Sequence, residues 1–186
     1  DPEQHDSWLY RGCSKYYLKQ YKEAIKDFDK AIELDPEQPD SWDWRGSCKY
    51  FLKQYEEAIK DLDKAIELNP KESQSWDFRG KCKYYLKQYE KAIKDFDKAI
   101  ELDPEQHDSW LYRGCSKYYL DQNKEAIKDF DKAIELNPKE SQSWAFRGSC
   151  KNDLNQYEGA IKDFDKAIEL NPKESQSWDF RGKCKY

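Results

Sequence analysis

Methionine, valine and threonine are absent from all 186 residues. So narrow an alphabet is what recent amplification, or deliberate design, of one unit leaves behind. The opening residues, Asp1-Pro2-Glu3-Gln4, do not resemble a signal peptide, and a chain without Met even at its start reads as a processed or excised segment. No run approaches the ~20 apolar residues of a membrane helix. Basic charge is not in excess either. Against 38 Asp and Glu there are 33 Lys and Arg, a net charge of -5, which gives no footprint for nucleic acid or an anionic membrane. Asn-x-Ser/Thr acceptors, C-x-x-C pairs and glycine-rich phosphate loops are all missing. Apolar residues are few, 37% against 38% charged, with a mean hydropathy of -1.23. A compact globule would be under-filled at that ratio, but a stack of thin repeats, each burying a narrow seam, would not. The 16% aromatic content argues against disorder.

What is present is repetition. Tryptophans at 8, 42, 76, 110, 144 and 178 step by 34 residues, each opening a segment like Asp6–Leu18. A second block, Ala24–Pro36, returns at Ala58, Ala92, Ala126 and Ala160. The repeats are framed as 5–38, 39–72, 73–106, 107–140 and 141–174, with a partial first helix at 175–186, and the whole of 1–186 reads as a single array. A longer period overlies the short one, since 5–18 is identical to 107–120 and 73–84 to 175–186. Each repeat predicts two helices. Trp8, Gly12 and Leu18 lie near one stripe of the first, and a break falls near Lys19-Gln20. Ala24, Ile25, Phe28, Ala31, Ile32 and Leu34 make the apolar face of the second, ended by Asp35-Pro36. Small residues at 12, 24 and 31 let helix axes approach. Such hairpins cannot bury their faces alone, so they must stack.

Trp8, Gly12, Ala24, Phe28, Ala31 and Pro36 stand at the spacing of the tetratricopeptide signature, five times over, and the chain resembles that superfamily along nearly its whole length. The resemblance implies an all-α, right-handed solenoid superhelix of helix–turn–helix repeats. There are departures from the family pattern. Arg11, Arg45, Arg79, Arg113, Arg147 and Arg181 precede the glycine where the family often has Leu. Each complete second helix carries Asp27, Asp61, Asp95, Asp129 or Asp163. Pairing of each Arg with one of these Asp residues is expected. The alternative is that both are solvated and contribute about 0–1 kcal/mol. In the fifth repeat Asn152-Asp153 replaces the paired aromatics and Gly159 interrupts the second helix, while Asn123 replaces a tyrosine in the fourth. The C-terminal third is expected to fray first.

The six cysteines, one per repeat, are expected to be small buried residues where repeats meet, with Cys13 and Cys115, offset by one position, turned toward the open face. Equivalent positions about 10 Å apart are too far for a disulfide. Unpaired thiols favour a reducing, cytoplasmic compartment; nothing else speaks to localisation. His5 and His107, each followed by an Asp, read as loop or cap residues. No catalytic, cofactor or metal residues are expected, and the chain does not read as an enzyme.

The resemblance further implies a concave groove lined by first helices, holding an extended peptide or a partner helix. Carried over by position, that groove would present Asp6, Leu9, Tyr16 and Tyr17 from the first repeat and Asp40, Asp43, Tyr50 and Phe51 from the second. The third would give Asp77, Lys81, Tyr84 and Tyr85, and the fourth Asp108, Leu111, Tyr118 and Tyr119. Neither the family's carboxylate clamp nor its asparagine ladder is matched at these positions. Tyrosines with scattered Asp favour a basic or proline-containing peptide, with no nucleic-acid or membrane partner. Two alternatives are a homo-oligomeric array that assembles on itself and a designed repeat protein without a natural ligand.

Overall fold

In a computed structural model the described residues, 2–172, form ten helices and no strand. The partial repeat at 175–186, with Trp178, Phe180, Arg181 and Cys184, lies outside the described residues. Two compact units divide the chain, 1–102 and 103–186. The first holds α1 (Pro2–Tyr17), α2 (Tyr21–Leu34), α3 (Pro39–Phe51), α4 (Tyr55–Leu68), α5 (Ser73–Tyr85) and α6 (Tyr89–Leu102). The second holds α7 (His107–Tyr118), α8 (Asn123–Leu136), α9 (Ser141–Asp153) and α10 (Tyr157–Leu170). Within each unit consecutive helices pack together, and alternate first helices touch, α3 on α5 and α7 on α9.

One contact makes each hairpin. Phe28, Phe96, Phe130 and Phe164 are fully buried, as is Leu62 in the same place. Each presses against a glycine of the preceding helix. A Cβ at Gly80 would come within 2.7 Å of the Phe96 ring, and one at Gly148 within 2.8 Å of Phe164. Only a residue without a side chain leaves room for the ring, whose burial contributes roughly 1.5–3 kcal/mol. Ala24 and Ala31, with their counterparts, close the rest of the seam at zero or near-zero exposure.

A charged seam runs beside the apolar one. Arg79 donates Nε and Nη2 to Asp95 at 2.9 and 2.7 Å, and Lys83 Nζ reaches the same carboxylate at 2.6 Å. The same fork joins Arg11 to Asp27, Arg45 to Asp61, Arg113 to Asp129 and Arg147 to Asp163. These aspartates are buried. The hydrogen bond from Arg11 comes first in holding the Asp27 carboxyl below its ordinary range, against the upward push of burial. Arg79 also gives Nη1 to Asp63 of the preceding hairpin at 2.6 Å, as Arg45 does to Asp29 and Arg147 to Asp131. Each guanidinium lies over the tryptophan three residues before it, 4.4–4.8 Å from the ring centre. Trp42, Trp76, Trp110 and Trp144 in turn donate their indole N–H to the carbonyl of the preceding loop proline. The arginine thus ties helix to helix and hairpin to hairpin.

The turn inside each hairpin closes in a way composition hides. Lys19, Lys53, Lys87, Asp121 and Asn155 all have φ near +60°, the left-handed region. Gln54 N–H reaches back to Lys49 C=O and Lys53 N–H to Tyr50 C=O, both 2.9 Å, and the four other turns repeat this double bond. It satisfies carbonyls that a helix end leaves open, against a left-handed penalty of about 1–2 kcal/mol for a residue with a Cβ. Between hairpins, Asp35 and Asn69 accept from the backbone N–H two residues on, across the proline. Leu18 departs from the expected stripe. It falls past the end of α1 and is 68% exposed.

Candidate functional site

The residues expected along the first-helix face separate by depth. In the first compact unit Asp6, Tyr17, Asp40, Phe51 and Tyr85 are exposed, with Tyr17 at 72%. Tyr16, Tyr50 and Tyr84 are half-buried. Leu9, Asp43, Asp77 and Lys81 are buried in the seam between helices. In the second unit Tyr119 is exposed, Asp108 and Tyr118 are half-buried, and Leu111 is buried. Carrying positions over from a family motif locates the helix but not how deep each position sits once the next hairpin covers it.

The paired aromatics divide their work. The first of each pair packs on the next hairpin: Tyr16 against Trp44 at 4.9 Å, Tyr50 against Phe78 at 5.2 Å, Tyr118 against Phe146 at 5.6 Å, all edge-on. Burial drives the phenol pKa of Tyr118 up to about 12 and raises that of Tyr16 as well. The second of each pair lies at the surface, and Phe51 and Tyr85 stack on the tyrosine that opens the previous hairpin's second helix. Tyr21 and Phe51 are 4.9 Å apart with rings 7° from parallel, and Tyr55 and Tyr85 match them at 5.1 Å and 7°. Sequence reasoning left Tyr21 and Tyr55 off this face, although their recurrence just after the turn at 21, 55, 89 and 157 was a signal to use.

Beside the aromatic row of the first unit lies a pocket of about 220 Å³ between α3, the end of α4 and the start of α5. Asp40, Asp43, Trp44, Glu72 and Ser75 line it. Asp43 is 8% exposed and accepts a hydrogen bond from the Ser75 hydroxyl at 2.5 Å. Burial lifts its carboxyl to about 7, the Ser75 bond opposes the rise, and the charges of Glu72 and Asp40 add to it. Trp44, Glu72 and Ser75 were not among the expected site residues.

Cys48, Cys82, Cys115 and Cys150 are buried thiols and Cys13 is half-buried. Cys115 therefore does not turn toward the open face as expected. Burial pushes Cys13 to about 11 and Cys48, Cys82 and Cys150 to about 12, which keeps them protonated and inert at neutral pH. No group of His, Cys, Asp or Glu able to hold a metal is present among the described residues. None of the described helices is long and apolar enough to cross a membrane.

Comparison with known proteins adds the family. The tetratricopeptide repeat model matches residues 107–140 and 141–174. The chain is a tetratricopeptide-repeat protein. Residues 17–99 match a second family model, described as anaphase-promoting complex, cyclosome, subunit 3. No curated protein matches the sequence.

Solved structures share the tetratricopeptide fold at low identity. A protein called YrrB, described as a TPR protein with an unusual peptide-binding site, superposes with a TM-score of 0.82 at 19% identity over 98% of this chain and 94% of its own. MamA from Desulfovibrio magneticus RS-1, residues 41 to the end, gives 0.82 at 18% identity over 92% and 97%. A thermophilic TPR protein of Thermus thermophilus gives 0.71 at 17% over 97% and 98%. Identities this low establish an all-α tetratricopeptide solenoid as the fold class and say nothing of the ligand. In that fold the first helices of the first unit expose aromatics at their C-terminal ends and carboxylates near their N-terminal ends.

Proposed function

We propose that this tetratricopeptide-repeat chain is a non-catalytic protein-interaction scaffold that binds an extended basic or proline-containing peptide along its first-helix face. The observation that carries the reading is the exposed row Tyr17, Phe51 and Tyr85, with Asp6 and Asp40 exposed about three turns earlier on the same helices. Aromatic faces attract cations and proline rings, and carboxylates elsewhere along the same helices add long-range attraction and a faster encounter. Family membership supports a binding role, and the description of YrrB as peptide-binding agrees with it at the level of fold. The half-buried Tyr84 and exposed Tyr85 belong to the same face.

Joint replacement Tyr84→Ala and Tyr85→Ala tests the reading. Titrating a Lys-Pro repeat peptide should show affinity reduced at least about tenfold, a loss of ~1.4 kcal/mol, in a variant whose circular dichroism is still helical. Unchanged affinity would refute it. The reading also takes 1–186 as one array, for which tryptophan fluorescence and far-UV circular dichroism should report a single coincident transition. Two separated transitions would divide it.

A further inference from the structure

Two equivalent sites in the first unit differ by one cation. In α5, Asp77 is buried and Lys81, one turn on, places Nζ 2.8 Å from its Oδ2. The same ammonium lies 5.4 Å from the centre of the Phe78 ring. In α3 the carboxylate is kept as Asp43 and the ring as Trp44, but the lysine becomes Ser47. Asp43 is buried and accepts a hydrogen bond on Oδ1 from the hydroxyl of Ser75. No Lys, Arg or His among the described residues pairs with it. Ser47 is fully buried, and its hydroxyl has no hydrogen-bond partner. A buried carboxylate without a counter-charge is unfavourable by several kcal/mol in general, and the cost is relieved either by taking up a proton or by an incoming cation.

We infer that the Asp43 pocket is a receptor for a primary ammonium, the side chain of a lysine carried by the bound peptide. Lys81 on Asp77 is the built-in copy of that interaction, ring and carboxylate included. Around the pocket, Asp40 of α3 and Glu72 just ahead of α5 add negative charge, α4 contributes Ala65, and Asn69 follows its end. An ammonium rather than a guanidinium is specified because the internal occupant is a lysine. Asp43 titrates near 7, so the site is a full anion above that pH and loses its charge below it. Binding therefore weakens as the solution is acidified through neutrality. The inference rests on the peptide-binding reading only for which molecule carries the ammonium.

The probe is Nα-acetyl-lysine methylamide, with its Nε-acetylated analogue as the neutral control, titrated into the full chain and followed by the Trp44 indole and Ser75 amide signals in nitrogen–proton spectra. The lysine derivative should shift both signals saturably at pH 8, at least about tenfold less strongly at pH 5.5, and the neutral analogue should not. Ser47→Lys should abolish the response, because its own ammonium then occupies the site as Lys81 does in the next hairpin. Asp43→Asn, which keeps side-chain size, should abolish it too and covers the case in which Ser47→Lys does not fold. Equal shifts from the acetylated analogue, or an undiminished response in both variants, would overturn the inference. A Lys-Pro peptide that binds equally to wild type and Ser47→Lys would remove the pocket and leave the scaffold reading standing. Saturable binding of the lysine probe with no peptide binding would do the reverse.

Discussion

At the edge of the first unit Tyr21 stacks on Phe51 and Tyr55 on Tyr85; at the matching places in the second stand Asn123 and Asp153. Asn123 moreover buries an amide oxygen that has no hydrogen-bond partner. A second contrast lies deeper. Ser75 gives its hydroxyl to Asp43, whereas Ser143, its counterpart, faces a sequence with Leu111 in that place and its buried hydroxyl has no partner. Even an identical stretch behaves differently. His5 is buried with Nε2 3.1 Å from Ser41 Oγ, while His107 is half-buried with Nε2 3.3 Å from Asn137, where the first unit has Asp35. Yet the Phe-on-Gly contact and the Arg–Asp–Lys clamp are the same in both units. The hairpin is held by a seam that barely varies, Leu62 for Phe being its one exchange among the described residues; the aromatic edge couples hairpins of the first unit, and it is free to change.

The largest effect should therefore be indifferent to the unit. Asp95→Ala and Asp163→Ala each strand an arginine and a lysine, and each should cost about 2–4 kcal/mol, somewhat under a fully buried pair because the cations reach water. Urea unfolding checks this, and a loss confined to one variant would break the symmetry. Next in size, Asp43→Asn should separate the units by pH. Folding raises the Asp43 carboxyl to about 7 from an unfolded value near 4, so its charged form opposes folding above pH 7, and that penalty disappears as pH falls from 7 toward 4. The substitution should raise stability at pH 8 by roughly 1–3 kcal/mol and change little at pH 4. Leu111 has no such proton to take up. A melting temperature raised equally at both pH values would contradict the assignment.

The smallest effect sharpens the comparison. Asn123→Tyr combined with Asp153→Tyr should rebuild a stacked pair like Tyr55 and Tyr85 and gain about 1 kcal/mol, read as a higher urea midpoint. A neutral or negative result would mean that the edge does not couple hairpins.

Much of this was legible beforehand, for physical reasons. Phe28, Gly12 and Ala31 recur at one period because a ring, a gap for it and a close approach must recur together. Arg and Asp sixteen residues apart in every complete repeat announced their fork. The turns were not legible, since Lys19, Lys53 and Lys87 occupy a left-handed position more often given to glycine, and only the double carbonyl bond shows why they end the helix there. Depth was not legible either. Leu9, Asp43, Asp77, Lys81 and Leu111 share a helix face with Tyr17 and Tyr85, and what separates them is depth in the packing between helices, as Leu9 shows against Ala24, Phe28 and Cys48. Cys115 was misplaced for the same reason.

Native-state hydrogen exchange, resolved by helix, is the most direct test that the recurrent seam holds hairpins while the edge couples them. The account predicts that amides of α9 and α10, past the broken Asn123–Asp153 edge and with Gly159 inside α10, exchange faster than those of α3 and α4. Equal protection of α3, α4, α9 and α10 would contradict it.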